Sequence, residues 1–155
     1  MASGTSESVP ALTLRSHSAD ETRALGRRIG VSLVAGDCIA LRGGIGAGKT
    51  VIAQGIVAGA GGGEDVRSPT FLLHAVHPGR IAVHHLDLYR LEMGTDLRVL
   101  GIDEALLDGA ALVEWPERTA AEWFTAEVRL EIVSPVARDI TVSIRQSRGR
   151  RDSLV

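Results

Sequence analysis

Apolar residues in this chain fall into short runs separated by glycine, proline and charged residues, and their spacing changes from run to run. Ala11 to Leu14 predicts a short strand. Ser18-Ala19-Asp20-Glu21 has the Ser-x-x-Glu form of a capping box, in which serine and glutamate satisfy backbone N–H groups at a helix start. Leu25, Ile29, Leu33 and Val34 follow at helical spacing, and Gly36-Asp37 ends that helix and turns the chain. Cys38-Ile39-Ala40-Leu41 is a continuous apolar run, as in a strand buried on both faces of a parallel sheet. Beyond glycine-rich residues 43–48, Ile52, Ile56 and Val57 mark the apolar side of a second helix, from about Lys49 to Ala58. Gly59 to Gly63 reads as a flexible stop. Strands are expected at Phe71 to Val76, Ile81 to Asp87 and Leu112 to Glu114, with a turn at Pro78-Gly79. Asp96 to Leu107 reads as irregular helix. Val128 to Ile132 and Ile140 to Ile144 alternate apolar and polar residues, predicting an antiparallel hairpin around Pro135. No internal repeat is visible. The sum is an α/β domain of three layers, with a mostly parallel sheet extended by antiparallel strands.

A length of 155 residues suits one domain, placed at residues 11–145 between a disordered leader (1–10) and a disordered basic tail (146–155). The formal charge of −2 gives no global positive field to recruit nucleic acid. The five aromatic residues are scattered, which argues against a stacking platform for single strands. Arg145, Arg148, Arg150 and Arg151 read as a solvated tail rather than an RNA-contacting arm. Cys38 is the only cysteine, so no internal disulfide can form. The polar start lacks a secretory pattern, and no apolar run approaches the ~18 residues a membrane span needs. A cytoplasmic protein is expected.

Gly43-Gly44-Ile45-Gly46-Ala47-Gly48-Lys49-Thr50 matches G-x-x-x-x-G-K-[ST] in full, with a predicted strand before it and a helix after. This predicts a P-loop NTPase-like fold that binds ATP. Gly43, Gly46, Ala47, Gly48 and Val51 border the phosphate cradle. Glycines let successive N–H groups turn inward as an anion nest, and the helix N-terminus adds partial positive charge. Lys49 would reach the β- and γ-phosphates, and the Thr50 hydroxyl would be a Mg²⁺ ligand. Of 17 basic residues, Lys49 alone is lysine. A compact cation on a flexible stem is thus kept at the one place where a phosphate needs it.

Asp87 closes one apolar strand and is a candidate Mg²⁺ ligand. Glu114 closes another, where it could orient the attacking water or complete the metal shell. His85 shares a strand face with Asp87, so a zinc site is a competing reading; His84 points the other way and reads as structural. Trp115 packs near the nucleotide or caps the core. Ser68-Pro69-Thr70 stands where a mobile loop sensing Mg²⁺ and γ-phosphate would lie. Arg90 either stabilises phosphate charge in cis or forms a salt bridge.

Taken together, G-x-G-A-G-K-T at 44–50, S-P-T-F at 68–71, H-x-D-x-Y-R at 85–90, L-G-I at 100–102 and E-W-P-E at 114–117 resemble the TsaE (YjeE) family. The resemblance implies an ATPase that assists synthesis of threonylcarbamoyladenosine in tRNA by acting on a TsaB–TsaD heterodimer, and that touches tRNA only through that complex. It implies that Lys49 and the loop backbone bind phosphates, that Thr50 and Asp87 serve Mg²⁺ and that Glu114 is a site carboxylate. With the motif reading, the candidate catalytic residues are Lys49, Asp87 and Glu114, the candidate metal ligands Thr50, Asp87 and Glu114, and the candidate switch Ser68 and Thr70. Residues His17 to Ala19 and Arg138 would border the adenine. Many relatives carry Asp at position 44 and Thr at 51, where this chain has Gly44 and Val51. Rival readings are a small-metabolite kinase, a GTP switch and a binding module without turnover. The switch is disfavoured because guanine selection by Asn-Lys-x-Asp needs an asparagine and a second lysine, and this chain has neither.

Overall fold

A computed structural model of the chain describes residues 11–63 and 74–145. The proposed leader, the proposed basic tail, Ser68, Thr70 and Phe71 lie outside the described residues. The elements run β1 (Ala11–Ser16), α1 (Ala19–Ser32), β2 (Cys38–Arg42), α2 (Lys49–Gly59), β3 (His74–His77), β4 (Ala82–Asp87), α3 (Ile102–Asp108), β5 (Gly109–Glu114), β6 (Ala126–Ile132) and β7 (Arg138–Ile144), with short 3-10 turns at Leu97–Leu100, Pro116–Arg118 and Ala121–Trp123.

The strands form one seven-stranded sheet in the order β1-β7-β6-β2-β5-β4-β3. Its centre, β6-β2-β5-β4, is parallel; β7 and β1 extend it antiparallel at one end and β3 at the other. The C-terminal hairpin forms as its alternation predicts, but β6 also pairs in parallel with β2, which brings the hairpin beside the glycine-rich loop. The fully buried residues of β2 and β5 account for their unbroken apolar runs.

Both sheet faces are covered. One face carries Ile39, Leu41, Leu112, Val128 and Ile140, packed against Leu25 and Ile29 of α1 and Ile52 and Ile56 of α2. The other carries Cys38, Ala40, Ala111 and Val113 under Leu97, Ile102 and Phe124. The second outer layer is thin, being built from α3 and the 3-10 turns.

Helix α1 begins as its sequence predicts. Ser18 accepts from the Glu21 N–H at 3.1 Å, while the Glu21 carboxylate accepts from the His17 N–H at 2.7 Å. The helix stops at Ser32, so Leu33 serves as its buried C-cap and Val34 lies outside it. Arg80 donates to the carbonyls of Gly30, Val31 and Leu33, closing that end.

Two glycine pairs set how α1 and α2 meet. A Cβ at Gly26 or Gly30 would lie 2.4 or 2.0 Å from the carbonyl oxygens of Ile52 and Ile56. A Cβ at Gly55 or Gly59 would lie 2.1 Å from the carbonyl oxygens of Arg23 and Arg27. The helices therefore touch backbone to backbone along one seam, and only glycine fits there.

Helix α2 ends in an ordered cap, in contrast to the flexible stop expected at Gly59 to Gly63. Gly62 N–H donates to Val57 at 2.9 Å and Gly61 N–H to Ala58 at 3.0 Å, with Gly61 left-handed at φ 89°. This is a Schellman motif. Gly79 of the following turn packs directly on it, with the Ala60 oxygen 2.6 Å from where a Cβ would stand.

Candidate functional site

The loop between β2 and α2 folds on itself through an Ala47 N–H to Gly44 carbonyl bond of 3.1 Å. Gly46 (φ 79°) and Gly48 (φ 105°) occupy left-handed backbone, which side chains rarely tolerate. Gly48 is the N-cap of α2 and brings no side chain to it, so no cap competes for the first N–H groups of the helix. An anion is the natural partner for such an end.

Arg138 fixes the back of this loop. Its Nε donates to Ala47 O at 3.2 Å and its Nη2 to Gly46 O at 3.0 Å, while Nη1 holds Ser134 O and Ala137 O, both at 2.9 Å. A trans peptide points its N–H opposite to its carbonyl. With the Ala47 carbonyl drawn to Arg138, the Gly48 N–H faces the other side of the loop. The guanidinium thus ties the β6–β7 turn to the glycine loop. Beside it a cleft of about 340 Å³ is lined by His17, Ala19, Thr22, Gly48, Val51 and Val136. Ala19 and Val51 form walls of that cleft, and Arg138 also reaches it.

On the sheet side, β4 and β5 end in register, with Asp87 opposite Glu114 and Leu41 of β2 opposite Glu114 on its other side. Both carboxylates are 4% exposed. One Asp87 oxygen accepts from the Tyr89 N–H at 2.9 Å, which fixes its orientation. Glu114 Oε1 lies 3.9 Å from Lys49 Nζ, and its Oε2 lies 2.7 Å from His85 Nε2. Lys49 also stands over the Trp115 ring, 5.4 Å from its centroid, and Tyr89 packs on that ring at 4.9 Å. Trp115 is left-handed (φ 56°), a conformation that costs a bulky residue of the order of 1–3 kcal/mol and persists only where the surroundings over-determine it. It turns the chain so that the indole lies beside Lys49.

Among the described residues no three His, Cys, Asp or Glu side chains converge as a protein-only metal site. His85 is committed to Glu114, not to the zinc reading. His84, on the opposite face, hydrogen-bonds His74 at 3.0 Å, and burial lowers the pKa of both rings. Thr50 sits in the first turn of α2, and Arg90 is exposed beyond the end of β4. The structure thus groups Lys49 with Glu114, His85 and Trp115. Sequence reasoning left two pieces out, the His85–Glu114 bond and the glycine seam. The seam has a visible signal in the four-residue spacing of Gly26 and Gly30 and of Gly55 and Gly59. The bond joins residues 29 apart and has none.

A glycine loop between a buried parallel strand and a helix, with a lysine beside one of two carboxylates that close neighbouring strands, defines a protein of the P-loop NTPase-like class. Comparison with known proteins narrows the class. The family described as "Threonylcarbamoyl adenosine biosynthesis protein TsaE" matches residues 16–147. Similar chains include the tRNA threonylcarbamoyladenosine biosynthesis protein TsaE of Treponema pallidum, 37% identical over 131 residues that cover 83% of this chain and 97% of that one. The protein of the same name from Mycobacterium tuberculosis is 39% identical over 127 residues, 74% of this chain and 76% of that one. The crystal structure of Bacillus subtilis YdiB superposes with a TM-score of 0.68 at 25% identity, covering 88% of this chain and 86% of that one. The chain belongs to the TsaE family, whose role lies in tRNA threonylcarbamoyladenosine biosynthesis. Among the described residues no helix is long and apolar enough to cross a membrane.

Proposed function

We propose that this chain binds ATP with Mg²⁺ and hydrolyses it slowly in the cytoplasm. The hydrolysis would support threonylcarbamoyladenosine formation in tRNA through a TsaB–TsaD heterodimer. The observation that carries the reading is the approach of Lys49 to the buried Glu114, which stands in register with a second buried carboxylate, Asp87, at the neighbouring strand end. Buried carboxylates are costly unless paired or given a cation, and Lys49 with one metal ion would balance both.

In this reading the loop from Gly43 to Gly48 holds phosphate oxygens with backbone N–H groups, and Lys49 adds a point charge. Thr50 and Asp87 are hard oxygen donors of the kind Mg²⁺ takes, with waters and phosphate oxygens completing its shell. When bound, the ion neutralises charge across the β- and γ-phosphates. Glu114, anchored by His85, orients the attacking water. The cleft between Ala19 and Val136 receives the adenosine, with Val51 under it and Arg138 at its side. Ser68 and Thr70 are the candidates for sensing the γ-phosphate.

Asp87→Asn is expected to depress Mg²⁺-dependent turnover roughly 10²-fold or more while leaving nucleotide affinity within a few-fold, because the loop's phosphate contacts persist. Turnover and binding measured side by side check this. Lost affinity with normal turnover per bound nucleotide would make Asp87 structural.

The role itself is tested by steady-state ATPase of the chain alone and with a TsaB–TsaD heterodimer, alongside multiple-turnover tRNA modification. Low activity alone and higher activity in the complex is the expected result. Equal rates, with modification unchanged when this chain is omitted, would overturn the assignment.

A further inference from the structure

His85 is fully buried on β4, on the same sheet face as Asp87 and Glu114. The proposed function gives it no contact of its own with nucleotide or metal. A buried imidazole is expected to satisfy both ring nitrogens. Here Nε2 meets Glu114 Oε2 at 2.7 Å, while the buried Nδ1 has no hydrogen-bond partner among the described residues. The nearest ring described on its face, His77, is 6.2 Å away between centroids.

We infer that His85 is a positioning residue for Glu114, donating from Nε2–H to one carboxylate oxygen and thereby aiming the other at Lys49. The bare Nδ1 decides where the proton sits. A proton there would be a buried donor with no acceptor, whereas a lone pair left bare is the lesser loss. The ring therefore carries its hydrogen on Nε2. A carboxylate held at one oxygen by an N–H donor and faced at the other by a cation has little rotational freedom. Asp87 stands two residues further along β4, so one rigid strand carries both the metal-side carboxylate and the donor that orients its neighbour. Outer-sphere donors of this kind change activity roughly 10- to 100-fold when removed.

The kinetic arm of the test rests on the ATPase reading; the spectroscopic arm does not. His85→Leu fills the space without a donor, and His85→Gln keeps an N–H near the Nε2 position. In the complex with TsaB–TsaD, His85→Leu should lower kcat roughly 10- to 100-fold with ATP affinity unchanged, and His85→Gln should recover most of it. If the leucine variant does not fold, His85→Asn, whose amide falls short of Glu114, takes its place. A donor-free variant with wild-type kcat, or a glutamine variant as impaired as it, overturns the inference. Independently, ¹⁵N NMR of the wild-type chain should show one histidine locked with Nε2 protonated and Nδ1 bare, a signature lost in Glu114→Ala. A His85 ring protonated at Nδ1, or one unaffected by Glu114→Ala, overturns it as well. If the wild type hydrolyses no ATP even in the complex, the proposed function falls and the NMR result alone decides the role of His85.

Discussion

Lys49→Ala should leave a folded protein that neither binds nor turns over ATP measurably. Lys49 is a cation in the first turn of α2, where the helix end is itself positive, so its removal relieves roughly 0.3–1 kcal/mol of unfavourable charge. That gain offsets part of what Glu114 loses when its cationic neighbour at 3.9 Å disappears. Catalysis has no such offset. One preorganised charge aimed at a transferring phosphoryl group typically contributes ~10²–10³ in rate. Because Lys49 is the only lysine, the protein provides its own assay. Amine-directed labelling away from the N-terminus reports on this one residue, and ATP should block it. Labelling that ATP leaves untouched would remove Lys49 from the phosphate site.

The second large effect is expected at the helix seam. Replacing a mid-helix glycine with alanine ordinarily stabilises a helix by roughly 0.5–1 kcal/mol. Gly55→Ala should do the opposite, because its Cβ would stand 2.1 Å from the Arg23 carbonyl oxygen, a backbone atom that cannot swing aside. Forced separation of well-packed elements costs about 1–3 kcal/mol and occasionally more, against a total stability of about 5–15 kcal/mol. A fall in Tm of several degrees is expected, and more for Gly30→Ala, where the clearance is 2.0 Å. The sign decides the matter: a thermal melt showing either alanine variant equal to or more stable than the wild type would mean the helices do not meet at backbone distance. Since α1 opens at the cleft proposed for adenosine and α2 opens at the glycine loop proposed for phosphate, a spread seam should also weaken nucleotide binding in any variant that still folds.

The glycine loop was legible in the sequence because its pattern is local. Eight consecutive residues, with a strand before and a helix after, define it without reference to the rest of the chain. The start of α1 was legible for the same reason, since Ser18 and Glu21 bond within one turn. What stayed hidden depends on neighbours far along the chain. Alternation in Val128 to Ile132 reveals a strand but not that its second partner is β2. Arg138 sits at a position that reads as the edge of a hairpin, and only folding shows that it holds the carbonyls of Gly46 and Ala47. The glycines of α1 and α2 read as weak points in two helices, because helix propensity counts what glycine costs alone and not how closely it lets a partner approach. Gly61 and Gly62 misled in the same direction, since the residue that frees a chain elsewhere closes a helix here.

The hold of Arg138 on the glycine loop bears on how the chain acquires its shape. The loop and its clamp are 91 residues apart, and β2, which feeds the loop, has both sheet neighbours, β5 and β6, far downstream. Contacts of such separation must recover the entropy of closing long loops, so they form late. During synthesis, α1, β2 and α2 leave the ribosome well before the strands that flank β2, and the loop has no fastening until the last hairpin emerges. A ligand of this loop could not help assemble the early half of the domain; it could only reward a fold whose last hairpin is already in place.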